Sequence, residues 1–598
     1  MTEPTASSAV VRHFHYHDAP LLGVSQAQSR SRAAERNVST SMATSSKDRL
    51  RVIPLGGLDE VGKNMTVFEY GDEMVLVDAG IMFPDDDHPG VDLILPDFSY
   101  VVKRKEKLKG IVITHGHEDH TGALPYLLKD LGPTVPVLGT RLPLGLIKGK
   151  LEEHKLKKVK LREVRDGGHV SLGSFGFDFF AVNHSIPDAV GVFIRTPVAN
   201  VLHTGDFKLD QTPIDGRLAD YGALTKFGKT GIDLLMSDST NAETRGITLS
   251  EAEVGKSLRE IIASAENRVI VASFSSHIHR IQQVCDAAVE AGRKVVVTGR
   301  SMVTNTKIAR ELGYLEIDDD DIVDAFDANG IPSEKVVVLC TGSQGEPLSA
   351  LARMANGDHR TVQVQHDDTV VISASPVPGN EKAVSRVINR LTKAGARVLH
   401  KGSHMVHVSG HAASEELKLM LNLTQPTYFM PIHGETRHLA AHARLAHDVG
   451  MFNEDIFVLD NGDCLELSEG GAKVAGSVEH GVVYVDGLSV GDVGKVVLRD
   501  RQLLAQDGIA TIIIAIDGQT GRIAAEPELV TRGLVVGGDK DPLIIEARAR
   551  IAKTLAKTAK EGATDQAVIK NAVRESLSQL LWERIRRRPM IIPVVMEV

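Results

Sequence analysis

The chain has 598 residues, and at roughly 100 to 200 residues per domain it is expected to hold three or four domains. Its composition, 42% hydrophobic and 24% charged, is that of a globular protein, and no apolar run reaches the roughly 20 residues that span a bilayer, which argues against membrane insertion. A net charge of −10 weighs against a nucleic-acid partner without closing off a local basic channel, and three dispersed cysteines (Cys285, Cys340, Cys464) argue against a disulfide framework or a cysteine zinc site and fit a reducing cytoplasm.

Residues 1–48 are rich in Ser, Ala, Thr and Arg, lack apolar periodicity and read as a disordered tail. Its "HFHYH" at 13–17 reads as solvated histidines outside any active site. From Arg51 the texture is one of short β-rich runs that end in polar residues: "MVLVDAG", "GIVITHG", "FDFFAVNHS", "NVLHTGDF" and "DLLMSDST". From about Glu251, "RVIVASFSS", "KVVVTGRS", "KVVVLCTGSQ", "DTVVISASP" and "ARVLH" alternate with helical-length segments, a rhythm that predicts a parallel sheet. The first texture returns in "PTYFMPIHGETRHLAAHARLAHDVG", which suggests that the βαβ unit is inserted into one split domain. Beyond about 475, strands "IATIIIAID", "LVTRGLVVG" and "MIIPVVMEV" with helices around 543–560 and 564–585 predict a small α+β domain.

"THGHEDH" places His115, His117, Asp119 and His120 within six residues. Side chains at i, i+2, i+4 and i+5 do not converge from a regular helix or strand, so an irregular turn is required. Imidazole nitrogens and carboxylate oxygens suit zinc and similar ions; the alternative is a polar loop with incidental histidines, which the density of ligand-type residues disfavours. His184, Asp206 and His433 stand at the ends of later strands. Together these seven residues resemble the HxHxDH, lone His, lone Asp, late His pattern of the metallo-β-lactamase superfamily. The resemblance implies a four-layer αββα sandwich and two metal ions, Zn2+ with Mn2+ or Mg2+ as alternatives. It places His115, His117 and His184 on one ion and Asp119, His120 and His433 on the other, with Asp206 bridging. His rather than Glu at 117 favours a hydrolytic dizinc centre over a redox di-iron one. Asp78 reads equally as an orienting partner of the ligand turn or as a plain structural carboxylate.

The inserted βαβ unit, with Asp238 before it and His411 of "HVSGHAASEE" near its end, resembles the β-CASP arrangement of metallo-β-lactamase nucleases. That implies a phosphodiester substrate and a catalytic set of Asp119, Asp238 and His411, with Asp238 orienting His411 toward the scissile phosphate or leaving oxygen. Within this branch the chain is similar to bacterial ribonuclease J over nearly its full length, through "LGGLDEVGKNM", "DAGIMFPDDDHPGVDLILPD", "SDSTNAETRG", "ASFSSHIHRIQQV", "TGSQGEP", "ISASPVPGNE", "PIHGE" and the ending "RRRPMIIPVVMEV". The expected architecture is a split metallo-β-lactamase domain (49–250 and 409–465), a β-CASP parallel α/β domain (251–408), a linker (466–480) and an α+β carboxy-terminal domain (481–598).

The family resemblance implies a zinc-dependent ribonuclease of RNA maturation and decay, a 5′→3′ exonuclease on single-stranded RNA with a 5′-monophosphate and also an endonuclease. It implies a homodimer or homotetramer and partners in an RNA-degradation complex. His407, Val408, Ser409, Gly410 and His411 present amides, a hydroxyl and imidazoles suited to phosphate oxygens, and Ser343, Ser275, Ser276 and His277 extend that pocket; ordinary strand-end capping is the other reading of the serines. The family also implies a structural calcium on the Gly90 carbonyl, Asp92 and Asp486. Basic runs at 103–109 and 148–165, the latter with eight Lys or Arg against three Glu, read as solvated faces or RNA-backbone contacts. Two other functions share this framework: a β-CASP nuclease that acts on DNA or only internally, and a non-catalytic RNA-binding scaffold.

Overall fold

The computed structural model describes residues 48–598 except 86, 378, 488, 518–519, 521, 535–540 and 564. Apart from Asp48, the expected tail and its "HFHYH" run lie outside the described residues. The chain divides into two compact units, one running to Phe83 and over Ile94–Val482, the other made of Pro84–Leu93 and Val483–Val598. Among the described residues no helix is long and apolar enough to cross a membrane.

In the first unit an eight-stranded sheet runs in the order Gly471–Ser477, Asp463–Ser468, Arg49–Gly56, Met65–Tyr70, Glu73–Val77, Leu108–Val112, Pro136–Gly139, Lys160–Glu163. A six-stranded sheet runs Tyr428–Ile432, Leu234–Asp238, Asn200–His203, Val190–Arg195, Phe175–Ala181, His169–Leu172. Strand alternation decides which side chains meet between them. Val52, Phe68, Val75, Val77 and Val112 share one core with Phe177, Phe179, Val192, Leu234 and Met236, whereas Phe180, Phe193, Leu202 and Leu235 face a second core under the helices Tyr221–Thr230, Ser414–Thr424 and Thr436–Asp448. The helix Arg141–Glu153 packs on Pro136–Gly139 and Lys160–Glu163 of the eight-stranded sheet. These are the layers of a metallo-β-lactamase αββα sandwich.

The inserted segment forms an all-parallel six-stranded sheet in the order Ile322–Val323, Lys294–Thr298, Val336–Cys340, Val269–Ala272, Thr369–Ile372, Arg397–His400. Its central strands read as unbroken apolar runs because both faces are covered. Glu251–Ser264, Ile278–Glu290 and Arg300–Glu311 bury Leu258, Ile281 and Met302 on one face, and Ala350–Asn356 and Glu381–Lys393 bury Leu351 and Leu391 on the other. Leu142, Leu146 and Ile186 of the sandwich join the first of these cores. The insertion leaves after Leu234–Asp238, and Tyr428–Ile432, which follows it, pairs in parallel beside that strand with Ile432 opposite Asp238. The polar turns at either side of the insertion are thereby brought to one sheet end.

Residues 466–480, expected as a linker, are in large part strand. Asp463–Ser468 pairs with the first strand and Gly471–Ser477 forms the outer edge of the eight-stranded sheet, because the antiparallel register buries Leu465 and Leu467 in the sandwich core.

In the second unit Ile509–Ile516 lies between Ile523–Arg532 and Met590–Glu597. Its alternation buries Ala510, Ile512, Ile514 and Ile516 against the helices Pro542–Lys560 and Gln566–Ile585, each capped by an aspartate, Asp541 and Asp565. The helix Lys495–Asp507 was not foreseen; only Leu498 is buried on it, so its apolar periodicity is weak.

Candidate metal centre

The ligand turn follows the strand Leu108–Val112 and is held from the neighbouring strand end. Asp78, in the left-handed backbone region (φ 62°), accepts the Thr114 amide and hydroxyl, both at 2.8 Å, and His120 Nδ1 at 2.7 Å. It orients the turn. Gly80 is needed beside it, since a Cβ there would lie 1.6 Å from the Asp119 carbonyl oxygen. Asn64 ties the turn down from a second side, its amide N–H and side chain both donating to the Asp119 carbonyl. Lys150 bonds Glu118 (2.7 Å) and Thr121 (3.0 Å) of the short helix that carries Asp119 and His120.

The later strand ends complete the cluster. Donor atoms of His115, His117, His184 and Asp206 lie within 4.8 Å of one another, as do those of Asp119, His120, Asp206 and His433. Asp206 Oδ2 belongs to both groups, 3.6 Å from His115 Nε2, 3.7 Å from His184 Nε2 and 3.2 Å from His120 Nε2. His433 occupies left-handed backbone (φ 53°), and its buried Nε2 has no hydrogen-bond partner while lying 3.3 Å from Asp119 Oδ2. Convergent buried nitrogen and carboxylate donors fit divalent metal, and one shared carboxylate fits two ions.

The electrostatics separate the two groups. Burial holds His115 and His184 well below the usual imidazole range and His117 down at about 4, so these rings stand neutral, the form that ligates. Burial also opposes charge on His120 and His433, but Asp206 and Asp119 outweigh it, lifting His120 well above its ordinary value and His433 to about 10. Burial resists ionisation of Asp206 as well, and the His120 and His433 imidazoles overcome it and keep the carboxyl well below its usual range.

"HVSGH" lies against this cluster. The Gly410 carbonyl is 2.8 Å from His184 Nδ1, and a Cβ on Gly410 would meet that ring at 2.8 Å. His411 Nδ1 is 2.7 Å from Asp238 Oδ2, which leaves Nε2 of a partly exposed ring for another group. Burial disfavours the His411 imidazolium, yet Asp238 raises its pKa above the ordinary value. The His411 carbonyl is fixed by Thr248 and Asn241.

Four family models match consecutive parts of the chain: the metallo-β-lactamase superfamily over 58–249, the ribonuclease J β-CASP domain over 266–391, the Zn-dependent metallo-hydrolase RNA specificity domain over 395–459, and the ribonuclease J C-terminal domain over 496–598. Ribonuclease J of Mycolicibacterium smegmatis is 45% identical over 550 residues, covering 92% of this chain and 97% of that one. The chain belongs to the ribonuclease J family. Ribonuclease J2 of Bacillus subtilis (41% identical, 93% of this chain, 100% of that one) and ribonuclease J of Thermus thermophilus (43%, 92% and 96%) are similar to it over the same extent. Membership makes the chain a metallo-β-lactamase/β-CASP nuclease. The candidate cluster draws on two of the matched regions: His115 to Asp238 fall in the first, His411 and His433 in the RNA specificity domain.

Of the remaining expected residues, Ser275, Ser276, His277 and Ser343 leave the same end of the inserted sheet, where Ala272 pairs with Cys340. His277 and His407 are held well below the imidazole range by burial and by Arg280, and His277 Nε2 and His407 Nδ1 lack hydrogen-bond partners. Ser275 accepts the Asn305 amide and Ser409 accepts the His411 N–H, both local bracing. Val408 is buried in the β-CASP core. Arg280 was missed: fully buried, it bonds Glu251 (2.6 Å) and the Val406 carbonyl (2.8 Å), so it anchors the irregular segment that leads into "HVSGH". Its signal was a charge one turn before Val284 on an apolar helix face.

In the second unit the Arg501 guanidinium bonds the Gly90 carbonyl and the Asp486 carboxylate, while the Asp92 carboxylate accepts the Gly487 amide. The two basic runs differ. Lys103, Lys107 and Lys109 pair with Glu479, Glu69 and Glu73, whereas Lys155, Lys157, Lys158, Lys160 and Arg162 are exposed along and beside the edge strand Lys160–Glu163, where Arg165 lies 3.8 Å from Glu163. Lysines on an edge strand also block sheet-to-sheet pairing.

Proposed function

We propose that the chain hydrolyses RNA phosphodiester bonds at a two-zinc centre, as a 5′→3′ exonuclease that prefers 5′-monophosphate ends and as an endonuclease, in a reducing cytoplasm. The observation that carries this reading is the contact of "HVSGH" with the donor cluster, through Gly410 on His184 and His411 on Asp238. His115, His117, His184 and Asp206 would hold one ion and Asp119, His120, His433 and Asp206 the other. When bound, such ions supply Lewis acidity at a phosphoryl oxygen and lower the pKa of water.

The chain's own residues do the rest. Asp238 fixes His411 with Nε2 directed away from it, and its negative charge favours the protonated ring, so His411 serves to bind a scissile phosphate oxygen or to donate a proton to the leaving 3′ oxygen. Backbone amides and imidazoles within 407–411, with Ser275, Ser276, His277 and Ser343, offer hydrogen bonds to a terminal phosphate; the buried His407 Nδ1, which has no hydrogen-bond partner, supports that assignment. The exposed lysines and arginines at 155–165 are the choice for backbone contacts, since the 103–109 run is engaged in ion pairs. The three cysteines are buried and unpaired, in keeping with a reducing compartment.

The test is cleavage of 3′-labelled and 5′-labelled single-stranded RNA bearing 5′-monophosphate, triphosphate or hydroxyl, beside single-stranded DNA, with and without chelator. Mononucleotide release that requires the 5′-monophosphate supports the reading. Internal cuts indifferent to the 5′ group restrict it to an endonuclease, DNA cleavage shifts the substrate class, and no chelator-sensitive cleavage leaves only a binding scaffold.

A further inference from the structure

The calcium expected on Gly90, Asp92 and Asp486 does not fit this chain, because the Gly90 carbonyl and the Asp486 carboxylate that it needs already serve an internal cation. Calcium requires six to eight oxygens at about 2.3–2.6 Å, with carboxylates and carbonyls as the usual donors. Arg501, on the helix Lys495–Asp507, donates through Nη1 to the carbonyls of Pro89 and Gly90, both at 3.2 Å, and through Nη2 to Asp486 Oδ2. Asp92 Oδ2 accepts the Gly487 amide at 2.7 Å, so its carboxylate is turned to backbone. A Cβ on Gly90 would come within 2.8 Å of Arg501 Nη1, which shows how closely the guanidinium is seated.

We infer that Arg501 is the resident cation of this site and staples the 84–93 segment to the 483–507 region without metal. A guanidinium is planar, keeps its charge at any working pH and carries five donors in a fixed fork, so it bridges two carbonyls and a carboxylate as a divalent ion would. A calcium ion placed among the same oxygens would face a like charge at contact distance and compete with the guanidinium for the Gly90 carbonyl and the Asp486 carboxylate. Gln502, the next residue on the helix, reinforces the staple by donating to the Asp87 carbonyl at 2.6 Å, and Asp92 adds a backbone bond to Val485 at 2.8 Å.

The test uses the full chain with its catalytic centre loaded with zinc. Calcium binding is measured by equilibrium dialysis against CaCl2, stability by thermal melting with CaCl2 or EGTA, and accessibility of the acid-rich 84–93 segment by endoproteinase Asp-N. The expected result is no calcium retained and no calcium-dependent melting shift in the unaltered protein. Arg501→Ala should lower the melting transition of the unit by about 2–4 °C and speed cleavage in 84–93 several-fold. Asp486→Asn, a milder change, should do the same to a smaller extent and covers the case in which Arg501→Ala does not fold. Retention of one calcium per chain by the unaltered protein, or a melting point that rises with CaCl2, would overturn the inference, as would Arg501→Ala and Asp486→Asn variants that melt and digest like the parent.

Discussion

Two clusters of convergent donors in this molecule are built from similar materials and reach opposite states. Around Asp206, carboxylates and imidazoles alone meet in the buried interior, and the carboxylates lift His120 and His433 above the usual imidazole range. Around Asp486, a carboxylate and two carbonyls meet a guanidinium that satisfies them. Donor residue types alone do not make a metal site; uncompensated donors do.

The sharpest way to break this comparison is to remove the shared donor. Asp206→Ala should reduce RNA cleavage on the order of 10^4-fold or more and leave at most one zinc per chain by elemental analysis; retention of two ions would show that the two groups do not share it. His411→Ala should slow cleavage about 10^2 to 10^4-fold with zinc content unchanged, and loss of zinc in that variant would move His411 from the reaction to metal binding. Asp78→Ala, which frees His120 and Thr114 without touching a donor, should weaken zinc binding roughly 10- to 100-fold in competition with a chelator; parental affinity would make Asp78 a plain structural carboxylate.

The smallest effect concerns a buried imidazole with no cation to serve. Burial pushes His442 down to about 3, with Ser239 Oγ on its Nδ1 and no partner for Nε2. Its folded-state pKa lies below the unfolded value of about 6.5, so its contribution to stability is fully present above that value. It is lost as pH falls from there toward 3, because the unfolded chain takes up the proton first. Metal-free His442→Asn should therefore show a shallower fall in urea midpoint between pH 7 and 5 than the metal-free parent, and an equal slope would place the acid sensitivity elsewhere.

Much of the architecture was legible. "VVVLC" and "TVVI" are buried at every position because helices cover both faces of the inserted sheet, and "IATIIIAI" alternates because only one face of its sheet is covered. The stretch 466–480 was misread because a strand on a sheet edge, partly exposed, carries little apolar periodicity. Asn64 and Arg280 escaped because single polar residues have no pattern; their roles come from carbonyls brought to them by remote segments.

The sequence by itself determined the candidate donors and which faces of strands and helices are apolar, since imidazoles and carboxylates announce their chemistry and strand and helix periods announce their faces; the order of layers came from the family resemblance. Only the tertiary structure decided which donors share a centre, that Gly410 rests on His184, and that Arg501 answers Asp486. Charge compensation depends on distances of a few ångströms between residues far apart in the chain, Arg501 and Gly90 being separated by 411 positions, and no local pattern in a chain encodes those.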